Sequence, residues 1–141
     1  MKSHERSLET SAPPERVWRI WSDTTTWPHW NPDVTAISLE GPFTTGTTGS
    51  MTTKAGGTHK IQLQDVQDGR GFTLVTSPAP LSTFAFRCEV APAGSGSRIS
   101  QAVSMSGPLG GIYSAMMGNR IADGFTAILD GLKQRAESHE A

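Results

Sequence analysis

Of the four histidines in this 141-residue chain, His59 alone falls on an apolar strand face. An inward imidazole can orient a ligand carbonyl or act as a general base near neutral pH, whereas a histidine at a strand end more commonly meets solvent. Tyr113 carries a phenol that could donate to a developing enolate oxygen. His59 and Tyr113 are the one base-and-donor pair on offer for chemistry beside a carbonyl. Gln101 and Asp65 are polar positions on otherwise apolar faces. Buried polar side chains need partners, which here would come from a ligand or from neighbouring backbone. Arg120 flanks an apolar helical sector, where it can meet an anion at a pocket mouth or form a surface ion pair. Cys88 shares a face with Phe84 and Phe86, and nothing in the sequence activates its thiolate. His4 and His139 are near the termini, and His29 lies in a turn between two prolines.

Other chemistries leave no trace. There is no HExxH and no cysteine pair for a metal. There is no G-x-S-x-G elbow and no dinucleotide glycine fingerprint. Gly107-Pro108-Leu109-Gly110-Gly111 opens a helix without the lysine that would accompany a phosphate site. No cofactor and no metal are expected. The net charge is −1 with acids and bases interspersed, so a nucleic-acid partner has no electrostatic support. No apolar run approaches the length of a membrane span. The polar N-terminus lacks the apolar core of a signal peptide, and Cys88 is the sole cysteine. These features point to a cytoplasmic protein, a monomer or homodimer, forming one domain over residues 1–141.

The elements that must position these residues follow from periodicity. His4–Ser11 reads as a polar strand near a sheet edge, ended by Ala12-Pro13-Pro14. A short helix follows through Val17, Trp18, Ile20 and Trp21, with apolar residues at i, i+3 and i+4. A second short helix or turn runs from Thr24 to Trp30 and stops at Asn31-Pro32. Six strands are expected at Val34–Glu40, Gly49–Lys54, His59–Val66, Gly71–Thr76, Thr83–Ala91 and Arg98–Met105. Gly56-Gly57 and Asp68-Gly69 supply hairpin turns. Alternation puts His59, Ile61, Leu63 and Asp65 on one face. Phe72 and Leu74 share a face, as do Phe84, Phe86, Cys88 and Val90, and as do Ile99, Gln101, Val103 and Met105. One side of the meander is apolar and the other wet.

Gly107 to Glu137 reads as one long helix, with Ser106 as its cap and Pro108 in its first turn. Tyr113, Met117, Ile121, Gly124, Phe125, Ile128 and Leu132 fall in one apolar sector. Each interior glycine costs a helix roughly 1 kcal/mol against alanine, so the glycines imply close approach of a strand or a ligand. Gly110, Gly111 and Gly118 concentrate in the first half, which places an expected gap beside Tyr113, Met116 and Met117.

This order resembles the helix-grip fold, an α+β arrangement of a curved antiparallel sheet wrapped around a long C-terminal helix, with two short helices after strand 1. Ala12-Pro13-Pro14-Glu15-Arg16-Val17-Trp18, Trp21, Asp23 and Trp27-Pro28-His29-Trp30-Asn31-Pro32 resemble the start of a polyketide cyclase/dehydrase-like protein of the START-like (SRPBCC) superfamily. The resemblance covers the chain. It implies a cavity between sheet and helix, lined here by Phe72, Leu74, Phe84, Phe86, Val103 and Met105. Tyr113, Met116 and Met117 would add an adaptable wall. Trp27 and Trp30 are expected at its rim, and Trp18 and Trp21 in the core. The implied function is binding of a small hydrophobic molecule: a lipid, polyketide or aromatic compound. The alternative is an enzyme of the cyclase/dehydrase type, closing a ring by aldol chemistry or removing water through His59 and Tyr113. An interaction module is a third reading, and the strand alternation shows no exposed apolar patch to favour it.

Overall fold

The computed structural model describes residues 3–138. Seven strands form one antiparallel sheet: β1 (Ser3–Thr10), β2 (Val34–Leu39), β3 (Thr48–Thr53), β4 (Thr58–Gln67), β5 (Gly71–Thr76), β6 (Thr83–Ala93) and β7 (Gly96–Ser106). Their spatial order is β1-β7-β6-β5-β4-β3-β2, so all neighbours are hairpin partners except β1, which returns to pair with β7. β1 is therefore an edge, as its polarity suggests. Helix α1 (Pro14–Trp21), a 3-10 turn (Thr24–Thr26) and α2 (Trp27–Trp30) bridge β1 and β2, and α3 (Gly110–Ser138) closes the concave side.

Local chemistry sets the short elements. Pro14 opens α1, where its missing N–H costs nothing. The Asp23 side chain accepts from the Thr25 backbone N–H and caps the 3-10 turn. Asn31, extended at φ −100° and ψ 110°, ends α2 just before Pro32.

Strand bounds differ from the periodicity reading by at most two residues, and two features differ more. Gly107 has φ +93°, a conformation that only glycine adopts freely. It breaks the chain after Ser106, so Pro108 and Leu109 form a turn and α3 begins three residues later than expected, at Gly110. In β4 the register against β5 shifts between Gln64 and Gln67. This bulge, with Asp65 at φ +49°, turns the Asp65 carboxylate outward, where it pairs with Arg87 at 3.4 Å. Asp65 thus leaves the apolar face that strict alternation assigns to it.

Helix α3 lies against β1 and β7 at its start and against α2 near its end, and glycines allow both approaches. At Gly118 a Cβ would collide with the His4 ring, and at Gly110 with the Met105 backbone. At Gly131 a Cβ would collide with the Trp30 carbonyl. Gly131→Ala should therefore lower stability by about 1–3 kcal/mol, the usual cost of overpacking against backbone. This holds although alanine is the better helix former; a chemical denaturation midpoint unchanged or raised by the substitution would contradict it.

Polar clamps hold the helix in place. The His4 ring bonds Ser114 Oγ (2.9 Å) and Asn119 Oδ1 (3.0 Å). Arg6 pairs with Asp123 at 2.7 Å, and Arg16 donates to the Ala136 carbonyl. The Glu137 carboxylate accepts from Thr10 Oγ1 (2.8 Å) and from the Ser11 backbone N–H (3.1 Å). The Thr10 bond first, then the Ser11 bond, holds its carboxyl below the ordinary value of 4.5. A depressed carboxyl pKa contributes stability above the unfolded value and loses it as pH falls through the folded one. Glu137→Gln should flatten the acid side of the stability profile below pH 4.5. The effect is small because the group is solvent-screened, and identical pH profiles for the two proteins would contradict the linkage.

Candidate functional site

Between the middle of α3 and the concave sheet face lies a cavity of about 600 Å³. Its inner walls are aromatic. Trp21, Trp27 and Trp30 come from α1 and α2, Phe72 from β5, Phe84 and Phe86 from β6, and Phe125 from α3. Phe72 is the hub of the cluster: Trp21 meets it edge-on at 5.7 Å and Trp27 lies tilted at 6.0 Å. Trp18 and Phe43 pack on it from outside the cavity, at 6.3 and 5.0 Å. Phe86 and Phe125 close the helix side at 6.1 Å.

The sequence explains why these side chains converge. β5, β6 and β7 alternate without a break, and register pairs Phe72 with Cys88, Leu74 with Phe86, and Cys88 with Gln101. Each pair therefore presents to the same side. The tryptophans of α2 are oriented by their own N–H groups. Trp27 Nε1 donates to the Trp21 carbonyl and Trp30 Nε1 to Thr26 Oγ1, both at 3.0 Å. With their polar atoms occupied, both rings offer only apolar surface. They are buried walls, deeper than the rim position expected of them.

Exposed lining residues mark the mouth: Asp33, Ala55, Pro78 and Arg120. Arg120 thus stands where a pocket-mouth cation was expected. His59 is half-buried in the wall near the mouth, on the inward side of β4 with Ile61 and Leu63. Its ring makes no hydrogen bond to protein among the described residues. Deeper in, Gln101 and Cys88 sit side by side on the sheet floor. Burial pushes the Cys88 thiol up to about 12, so it is neutral and unreactive at physiological pH.

Leu74, Phe72, Phe84, Phe86, Gln101, Trp27, Trp30, Arg120 and His59 therefore meet at one cavity. Other candidates lie elsewhere. Val103 and Met105 are buried in the core beneath the helix start. Tyr113 packs against Phe84 at 6.3 Å and does not line the cavity, so the structure does not bring the His59–Tyr113 pair together. Met117 is half-buried against the core, and Met116 is 70% exposed. The pocket is at the middle of α3, between Arg120 and Ile128, and not at its N-terminal half. The reason is the glycines: Gly110 and Gly118 bring α3 onto β7 and β1 and leave no gap there. At Gly124 a Cβ would meet only the Asp33 carboxylate, at 3.8 Å, so this glycine alone among them opens on the space.

Several wall residues escaped the sequence reading. Asn31, Val34, Met51, Thr53 and Thr76 line the cavity, and Trp21 reaches it from the core. The inward phase of β2 and β3 was the available signal for Val34 and Met51. His4 has its own role as a clamp between β1 and α3; alternation with Leu8 and Thr10 points it inward.

A seven-stranded antiparallel sheet gripping one long helix over an apolar cavity defines a helix-grip protein, of the Bet v 1-like and START-like class. The chain belongs to the polyketide cyclase/dehydrase and lipid transport family, whose model matches residues 1–137. Solved structures agree on the fold. XoxI from Bacillus cereus superposes with a TM-score of 0.77 at 21% identity, covering 100% of this chain and 99% of that one. TTHA0849 from Thermus thermophilus gives 0.76 at 16% identity, covering 99% and 100%. Truncated norcoclaurine synthase from Thalictrum flavum gives 0.72 at 17% identity, covering 99% and 95%. No curated protein matches the sequence. Among the described residues no helix is long and apolar enough to cross a membrane, and no cluster of His, Cys, Asp or Glu has the makings of a metal site.

Proposed function

We propose that this protein binds a small hydrophobic molecule, a lipid, polyketide or aromatic compound, in the cavity under α3. The observation that carries the reading is a space of about 600 Å³ walled by aromatic side chains, with the indole N–H groups of Trp27 and Trp30 already bonded to protein. That is the size and lining of a ligand pocket. A solid core would fill such a space, since each unfilled volume next to apolar side chains costs stability. The family's description as polyketide cyclase, dehydrase and lipid transport supports the same substrate range. Native mass spectrometry of the purified protein, with titration of ANS, a fluorophore that brightens in apolar sites, tests it. Saturable binding at one site per chain, or a co-purified apolar molecule, is expected; a folded protein that does neither refutes it.

A cyclase/dehydrase-type activity is the second reading, and His59 favours it. Its imidazole faces the cavity near the mouth with no protein partner among the described residues, where a base would meet an entering ketone. The phenolic donor expected at Tyr113 lies off the cavity, so the oxyanion partner would have to be another group. Loss of turnover on a model polyketone in His59→Ala, with ligand affinity retained, would establish it.

A further inference from the structure

We propose that the cavity selects ligands carrying a neutral oxygen function, a ketone, lactone, hydroxyl or protonated acid, at their buried end, and that Gln101 is the residue that reads it. This rests on the ligand-binding reading above. Gln101 lies on β7 between Ile99 and Val103, with all but 9% of its surface buried. Its amide makes no hydrogen bond to another protein group among the described residues. No fully buried side-chain nitrogen or oxygen among those residues lacks a partner. The unbonded amide atoms of Gln101 therefore keep accessible surface, and the residue lines the cavity.

A primary amide offers two N–H donors and a carbonyl acceptor, and leaving them unmet in an apolar wall is costly. Several other polar groups of the wall are engaged, while the unpartnered His59 ring stands nearer the mouth. Thr76 donates to the Lys60 carbonyl at 2.9 Å, Asn31 Oδ1 accepts from the Asp33 N–H at 2.9 Å, and the indole N–H groups of Trp27 and Trp30 are bonded. Beside Gln101, Cys88 is a neutral thiol and adds only a weak donor. Among the described residues no cation lines the cavity at this depth, and Arg6, the register partner of Gln101 on β1, is paired with Asp123 at 2.7 Å, so an ionised carboxylate or phosphate would be buried without a free counter-charge. Arg120 and Asp33 are at the mouth. The ligand is thus oriented with its neutral oxygen inward on Gln101, its apolar body among the aromatic rings, and any charged end outward toward Arg120.

The test compares two probes of nearly the same shape, 2-acetylnaphthalene and 2-isopropenylnaphthalene, by calorimetric titration against wild type, Gln101→Leu and Gln101→Met. Both substitutions keep volume and apolar packing, and the second covers a folding failure of the first. The ratio of the two dissociation constants should shift by about tenfold against the ketone in both variants, the value of one neutral hydrogen bond in a dry site. An unchanged ratio in a variant that still binds the hydrocarbon overturns the role of Gln101 and leaves ligand binding intact. Failure of wild type to bind either naphthalene or ANS overturns both.

Discussion

Gly124→Trp should remain folded and lose at least about tenfold in affinity for ANS, equivalent to about 1.4 kcal/mol of binding free energy. Gly124 faces the cavity from the middle of α3, and a Cβ there meets only the Asp33 carboxylate at ordinary van der Waals distance. Its backbone is helical, so a larger residue adds no strain, and helix propensity improves by a few tenths of a kcal/mol. The indole would take up space in the cavity that Gly124 lines. A folded variant with wild-type ANS affinity would place the binding site elsewhere. The charged groove around Pro14, Arg70 and Arg98 at the far end of the sheet is the alternative.

Phe125→Ala, one position further along the helix, acts in the opposite direction on stability. Phe125 is 2% exposed and meets Phe86 edge-on, so its loss should cost about 3–5 kcal/mol. The lower end of that range is expected, because the ring already borders a void and fewer contacts are lost on its open side. Thermal and denaturant unfolding should agree on the loss. A cost below about 1 kcal/mol would mean that α3 is not seated on the sheet as described.

The contrast between Gly124 and its neighbours explains how much of this site could be read from sequence. Strand positions, the faces of Phe72, Phe84, Phe86 and Gln101, and the long helix all follow from periods of 2 and 3.6, because those periods are set by backbone geometry. The Trp27–Asn31 segment is equally legible, since proline and asparagine fix where the chain must turn. The location of the cavity along α3 was not. Glycine at Gly110, Gly118 and Gly131 serves contact with β7, β1 and α2, whereas glycine at Gly124 serves empty space. Composition cannot separate the two uses, because both need only a missing Cβ; what differs is the element opposite, which is tertiary information. Asp65 failed for a related reason. One extra residue in β4 reverses the phase of every side chain after it until the register recovers, and nothing in Gln64–Gln67 announces the bulge.

The most direct test uses the chain's own methionines as reporters. Met51 lines the cavity, Met105 is buried outside it, Met117 is half-buried at its edge of the core, and Met116 is exposed on the helix start. With 13C-labelled methionine methyl groups, NMR titration of 2-acetylnaphthalene should give intermolecular NOEs from the ring protons to the Met51 methyl and none to that of Met116. Contacts to Met116 with none to Met51 would contradict the assignment of the cavity under the middle of α3 as the binding site.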